Sequence, residues 1–171
     1  MIQIKNAAEL EKMRKACAIS AAALKAGGEA IEPGITTAEI DKIIYDFIVR
    51  HGARPNFLHL YGFPATACIS VNDTVIHGIP SRQQQIRPGD IVSIDTGCKI
   101  DGFNGDNACT YACGKIDLEA QRLLDVTKEG LHRGIEMARG GNRVGDIGHA
   151  VQCYVEENGF SVVRSFVGHG V

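Results

Sequence analysis

The sequence predicts an α/β (α+β) fold in which a pair of helices precedes an antiparallel sheet and the pattern then begins again. Three observations carry that reading. Apolar residues recur at helical spacing behind sequences that cap helices. The stretch from Ile91 to Cys113 alternates as a strand does, breaks at Asp101-Gly102 and resumes. A shift of 107 residues lays the second part of the chain on the first. A single domain over 1–171 is expected, with a first pseudo-repeat over about 1–114 and an incomplete second over about 115–171.

The first helix should begin at Asn6, which can cap, with Glu9 three residues on as in a capping box. Leu10, Met13, Cys17 and Leu24 fall near one face, and Gly27-Gly28 weaken the end. Thr36-x-x-Glu39 opens a second helix. Its Ile40, Ile43, Ile44, Phe47 and Ile48 form a strong apolar stripe, and Gly52 stops it. Ala67 to Val71 reads as a strand that turns at Asn72-Asp73, and Val75 to Ile79 leaves extended until Pro80. Ile91 to Ile100 is a strand with Ile91, Ser93 and Asp95 on one face and Val92 and Ile94 on the other. Asp101-Gly102 suits a two-residue hairpin turn, and Phe103 to Cys113 returns. Helices follow from Asp117 to Arg139, ending at Gly140-Gly141, and from Val144 to Asn158, ending at Gly159. Ser161 to Val167 is the next expected strand.

The internal echo pairs Pro33-Gly34 with Gly140-Gly141, Glu39-Ile40 with Asp146-Ile147, and Ile44 with Val151. It also pairs Phe47-Ile48 with Tyr154-Val155 and Gly52 with Gly159. Identity is low, but helix starts and stops coincide, which shared periodicity alone does not require.

Composition removes several function classes. With 44% hydrophobic and 22% charged residues the chain is globular rather than disordered. A net charge of -2 and a pI near 6.3 give no basic excess for coating nucleic acid or membrane. The longest apolar stretch, Ala18 to Leu24, is too short to span a bilayer, and residues 1–11 lack a secretory apolar region. A cytoplasmic protein is expected. Its six cysteines then read as reduced thiols, with Cys109 and Cys113 as small buried residues rather than zinc ligands.

The hairpin carries the chemistry. A two-residue turn at Asp101-Gly102 makes paired positions sum to 203, so Asp95 faces Ala108. Asp106 then lies on the same face as Asp95 and diagonal to it. Two carboxylates so placed can converge on a cation; without one they repel. Surface acids on a sheet are the ordinary alternative, but Asp is depleted in strands and the flanks here are apolar. His169 sits between two glycines, which let the backbone approach closely and aim an imidazole. His77 ends an apolar stretch. Carboxylate and imidazole together suit Mn, Fe, Co or Zn. No phosphate-binding glycine loop and no GxSxG elbow occurs, and nothing local supports Cys68 and His77 as a thiol–imidazole pair.

Five segments in order resemble the type I methionine aminopeptidases. They are Ala67-Cys68-Ile69-Ser70-Val71-Asn72, His77-Gly78-Ile79-Pro80, Asp95-Thr96-Gly97, Asp101-Gly102-Phe103-Asn104-Gly105-Asp106 and Gly168-His169-Gly170. The resemblance runs along the whole chain. It implies the pita-bread fold, two pseudo-symmetric halves around a dinuclear metal centre, as one catalytic domain. By motif, Asp95 and Asp106 correspond to metal ligands, with Asp106 bridging both ions, and His169 to a histidine ligand. His77 corresponds to the catalytic, substrate-contacting histidine near the scissile amide. Cys68 and Phe63 correspond to walls of the methionine pocket, where Leu60 replaces a frequent aromatic. The family's two glutamate ligands and a second active-site histidine would lie beyond Val171, which implies a fragment or a truncated product whose own activity is open.

The implied reaction is metal-assisted hydrolysis of the first peptide bond, which removes the N-terminal methionine of nascent polypeptides. Two divalent ions (Co, Mn, Fe or Zn), nascent-peptide substrates and ribosome proximity follow; a specific nucleic acid and a membrane partner do not. Two alternatives stand beside it: an X-Pro aminopeptidase or prolidase, which would share the aspartates and Gly168-His169-Gly170, and a non-catalytic pita-bread binding module, a kind that has lost metal ligands, whereas every ligand expected before Val171 is present here. His77-Gly78-Ile79-Pro80 and the Cys68 neighbourhood favour methionine.

Overall fold

A computed structural model of the chain describes residues 3–165 and 168–171. The chain forms two compact units, one of Met1–Ile116 with Val171 and the other of Asp117–Gly170. The first holds α1 (Ala7–Glu29), α2 (Thr37–Arg50), β1 (Arg54–Pro55), a 3-10 turn (Leu60–Gly62), β2 (Ala67–Val71), β3 (Ile91–Ile100) and β4 (Phe103–Ala112). The second holds α3 (Leu118–Met137) and α4 (Val144–Glu157).

Helix starts follow the capping residues. Asn6 and Thr36 each accept from the backbone N–H three residues on, and Glu9 and Glu39 reach back to the capping residues' own N–H groups. Both bonds satisfy donors that a helix start leaves open. The shift of 107 residues carries α2 onto α4 end for end. Gly34 and Gly141 have φ of 96° and 97°, and Gly52 and Gly159 have 74° and 79°.

The sheet is antiparallel throughout. β4 pairs with the whole of β3, while β1 and β2 share the other edge of β3 at separate places. The face of Val92, Ile94, Thr96 and Cys98 is buried against α1 and α2. There α1 lies on the hairpin backbone: Ser20 Oγ donates to Thr96 O at 3.1 Å. A Cβ on Gly105 would stand 2.4 Å from Ala16 O. Ile40, Ile44 and Ile48 of α2 complete that core.

Several expectations fail for identifiable reasons. Gly27-Gly28 do not end α1, which continues to Glu29. They are packing residues: a Cβ on Gly27 would meet the Ile44 side chain at 2.7 Å, and one on Gly28 the Tyr111 ring at 2.2 Å. The buried face of α1 is accordingly Ala16, Ser20, Ala23, Leu24 and Gly27, with Leu10 exposed. Close backbone approach favours small residues over a large apolar stripe.

Val75 to Ile79 is not a strand. His77 takes φ 56°, which breaks the extended run, and Gly78 bonds back to the backbone of β2. Residues 161–165 are irregular, because no strand among the described residues offers them a ladder; the rest of that expected strand, Phe166 and Val167, lies outside the described residues. Cys113 is buried as expected, but Cys109 is exposed on β4, whose outer side pairs with no strand among the described residues.

In the second unit α3 and α4 pack through small residues. Cβ atoms on Gly130 and Gly134 would stand 3.3 Å from Val155 and 2.8 Å from Val151. Among the described residues no helix is long and apolar enough to cross a membrane.

Candidate active site

Asp101 and Gly102 have φ of 51° and 86°. Positive φ at both central residues defines the primed turn whose twist suits a hairpin. Lys15 Nζ lies 2.7 Å from Asp101 Oδ2, ties the turn to α1 and holds that carboxyl below its ordinary value. The register that follows pairs Ile100 with Phe103 and Asp95 with Ala108. Asp106 stands opposite Gly97, two positions along β3 from Asp95. Both half-buried carboxylates therefore leave the sheet on the face opposite α1, as diagonal neighbours across the β3–β4 pair.

β2 extends this face. Cys68 stands opposite Asp95, and Ser70 opposite Ser93. Ser93 Oγ and Thr110 Oγ1 are 2.8 Å apart, so a row of hydroxyls runs beside the row of Cys68 and Asp95. Cys68 is 7% exposed, and its thiol pKa is pushed up to about 11. Burial is the main cause, followed by the negative charges of Asp95, Asp41 and Asp106. The sulfur is thus a neutral thiol near pH 7. That suits an apolar wall and not a nucleophilic thiolate paired with His77.

His77 is exposed and follows β2 through the turn at Asn72. Phe63 is half-buried at the end of the 3-10 turn, where its carbonyl accepts from His59 N at 2.8 Å. His169 belongs to the second unit; it is exposed, with Nδ1 3.1 Å from Gly170 O. The hairpin thus brings Asp95 and Asp106 together, and β2 adds Cys68. Among the described residues no group of three or more His, Cys, Asp or Glu side chains gathers closely enough to hold a metal ion.

Three residues here escape a reading of the sequence. The ring of Phe57 lies over Gly97, on the face of Asp106, with Cε1 3.3 Å from where a Cβ would stand. An aromatic among apparent loop residues was its only signal. Asp41 Oδ1 accepts from Thr66 N and Ala67 N at 2.9 and 2.8 Å, anchoring the start of β2 to α2. Its signal was a carboxylate in step with Ile44 and Ile48 at i, i+3, i+7. Ser70 accepts from Gly78 N at 3.0 Å; strand alternation gave its face but not its partner.

The donor set fits a divalent cation. Two carboxylates, fixed on one rigid hairpin and aimed from one face, are oxygen ligands of the kind such ions take.

Comparison with known proteins agrees with this chemistry. The profile of metallopeptidase family M24 matches residues 11–171. The methionine aminopeptidase of Clostridium perfringens is 51% identical over all of this chain, which spans 68% of that relative. The crystal structure of methionine aminopeptidase from Rickettsia prowazekii superposes with a TM-score of 0.97 at 38% identity, over 100% of this chain and 68% of that one. Aminopeptidase P of Escherichia coli shares the fold at a TM-score of 0.79 and 23% identity, over 90% of this chain and 34% of its own. With its full length matched and its two aspartates on one hairpin face, the chain belongs to metallopeptidase family M24, among the methionine aminopeptidases.

Proposed function

We propose that the face of Asp95 and Asp106 is the metal-binding part of a site that removes an N-terminal methionine by hydrolysis of the first peptide bond. The register that places both carboxylates on one face carries the reading. The two compact units are read as the two pseudo-repeats of one catalytic domain. Asp95 and Asp106 would hold the two divalent cations of such a site, with His169 as an imidazole ligand. That mixture of ligands suits Mn, Fe, Co or Zn. When bound, such cations supply polarisation of the scissile carbonyl and a water of lowered pKa.

The remaining roles belong to the chain's own side chains. His77 hydrogen-bonds the scissile amide as charge develops on the tetrahedral intermediate. Cys68 and Phe63 line the pocket for the methionine side chain. A neutral thiol and a ring are apolar and polarizable partners for a thioether. Substrates of this kind are nascent peptides, which places the work in the cytoplasm and near the ribosome.

Asp106→Asn in the full-length protein should abolish hydrolysis of Met-Ala-Ser, because an amide cannot bridge two cations as a carboxylate does. Cys113→Ser should leave most of the rate, since Cys113 packs in the core. Equal loss in both variants would sink this division of roles. Faster cleavage of Ala-Pro peptides than of Met-Ala-Ser would transfer the chain to the X-Pro enzymes.

A further inference from the structure

Gly78 is gripped by β2 on both of its backbone groups. Its N–H donates to Ser70 Oγ at 3.0 Å, and its carbonyl accepts from Ile69 N at 2.8 Å. The contact is too close for any other residue: a Cβ on Gly78 would stand 2.2 Å from Ile69 O and 2.8 Å from Ser70 Cα. The residue before it, His77, sits at φ 56°. A non-glycine residue in the left-handed region needs its neighbours to hold it there.

Ser70 is 4% exposed and lies two positions from Cys68, opposite Ser93. By strand alternation its hydroxyl leaves β2 on the same face as Asp95 and Asp106. The Gly78 N–H therefore bonds to a group that rises from the site's own face, one residue after the imidazole in question. The rest of the segment from 72 to 78 offers no ladder to β2. Two hydrogen bonds at one residue thus define where the segment returns to the sheet.

We infer that Ser70 is a positioning residue for His77: its hydroxyl clamps Gly78 to β2 and so fixes the left-handed backbone that presents the imidazole over the Asp95 and Asp106 face. The inference rests on the proposed role of His77 and adds a residue that acts through it. Ser70 itself touches no reacting atom. Loss of the hydroxyl should leave the methionine pocket and the carboxylate pair in place while the backbone at His77 and Gly78 shifts and the imidazole moves with it. Small misplacements of a reacting group cost rate rather than binding.

Two measurements separate the clamp from the role of His77. In the full-length protein loaded with Mn²⁺, Ser70→Ala should lower kcat for Met-Ala-Ser about tenfold with KM nearly unchanged. Ser70→Thr, which restores a hydroxyl, should recover the rate. In a His77→Ala background, Ser70→Ala should cause no further loss. A full additional loss there overturns the inference, as does a change confined to KM. An unchanged rate in His77→Ala alone would instead refute the role of His77. The clamp is then read independently in the 171-residue chain by NMR. Ser70→Ala should speed hydrogen exchange at the Gly78 amide and shift the His77 ring resonances. If neither moves, there is no clamp, whatever the kinetics show.

Discussion

Asp41 shows how one half-buried carboxylate can hold the fold and burden it together. Burial raises its pKa, against the lowering by the Ala67 and Thr66 amides that donate to it. A carboxyl with a raised folded pKa binds more protons folded than unfolded between the two values. Stability therefore falls as pH rises from about 4 through that window. Both amides donate to the same oxygen, so Asp41→Asn keeps an acceptor and removes the charge. We expect it to be neutral or stabilising at pH 7 and to flatten this pH dependence. Asp41→Ala strands N–H groups on Thr66 and Ala67, which are 1% and 0% exposed, at about 1–3 kcal/mol each. Urea unfolding at pH 4 and pH 7 checks both, and an Asn variant as costly as Ala would refute the account. At this scale the sequence was legible where one rule acts alone. The turn at Asp101-Gly102 set the facing of Asp95 and Asp106 through strand alternation. The acceptors chosen by Thr66, Ala67 and Gly78 depend on residues from 8 to 26 positions away, which no local pattern records.

Among the elements, helices and the hairpin follow local chemistry, whereas the remaining strands depend on partners. Capping residues placed the starts of α1 and α2, and the turn placed β3 against β4. Val75 to Ile79 had a strand's composition, yet a strand exists only where a ladder accepts it, and His77 turns the backbone away. The glycines of α1 lie in its last turn, and they also make contact across elements, which no local pattern records. That distinction predicts a contrast. Gly105→Ala drives a methyl into the α1 backbone at Ala16 and Cys17 and should cost about 3 kcal/mol. Gly102→Ala has open space around it and loses only the ease of φ 86°, about 1 kcal/mol. Equal losses in denaturant unfolding would show that α1 does not rest on the hairpin as closely as described.

For the whole molecule the balance of charge decides what the 171 residues can do alone. Two divalent ions bring about +4 to a face that offers two carboxylates. Among the described residues no group of three or more His, Cys, Asp or Glu side chains gathers closely enough to hold a metal ion. The chain should therefore bind Mn²⁺ weakly and hydrolyse Met-Ala-Ser at a negligible rate. Calorimetric titration of the 171-residue chain, followed by the peptide assay, checks this. Tight binding of two ions with full turnover would refute it. The general architecture was legible because the 107-residue echo rests on helix ends that recur as α2 and α4.

The primed turn between β3 and β4 has a consequence for the order in which the molecule assembles. Asp95 and Asp106 are joined through that turn alone, so their meeting needs no distant part of the chain. Hairpins close in about 1–10 μs, ahead of the slower docking of α1 and α2 on the buried face. Two like charges are thus forced together at an early step, before any tertiary packing can offset their repulsion. A cation between them would turn that repulsion into attraction at the same moment. A cation that acts at this step should speed refolding, which refolding rates with and without Mn²⁺ would check.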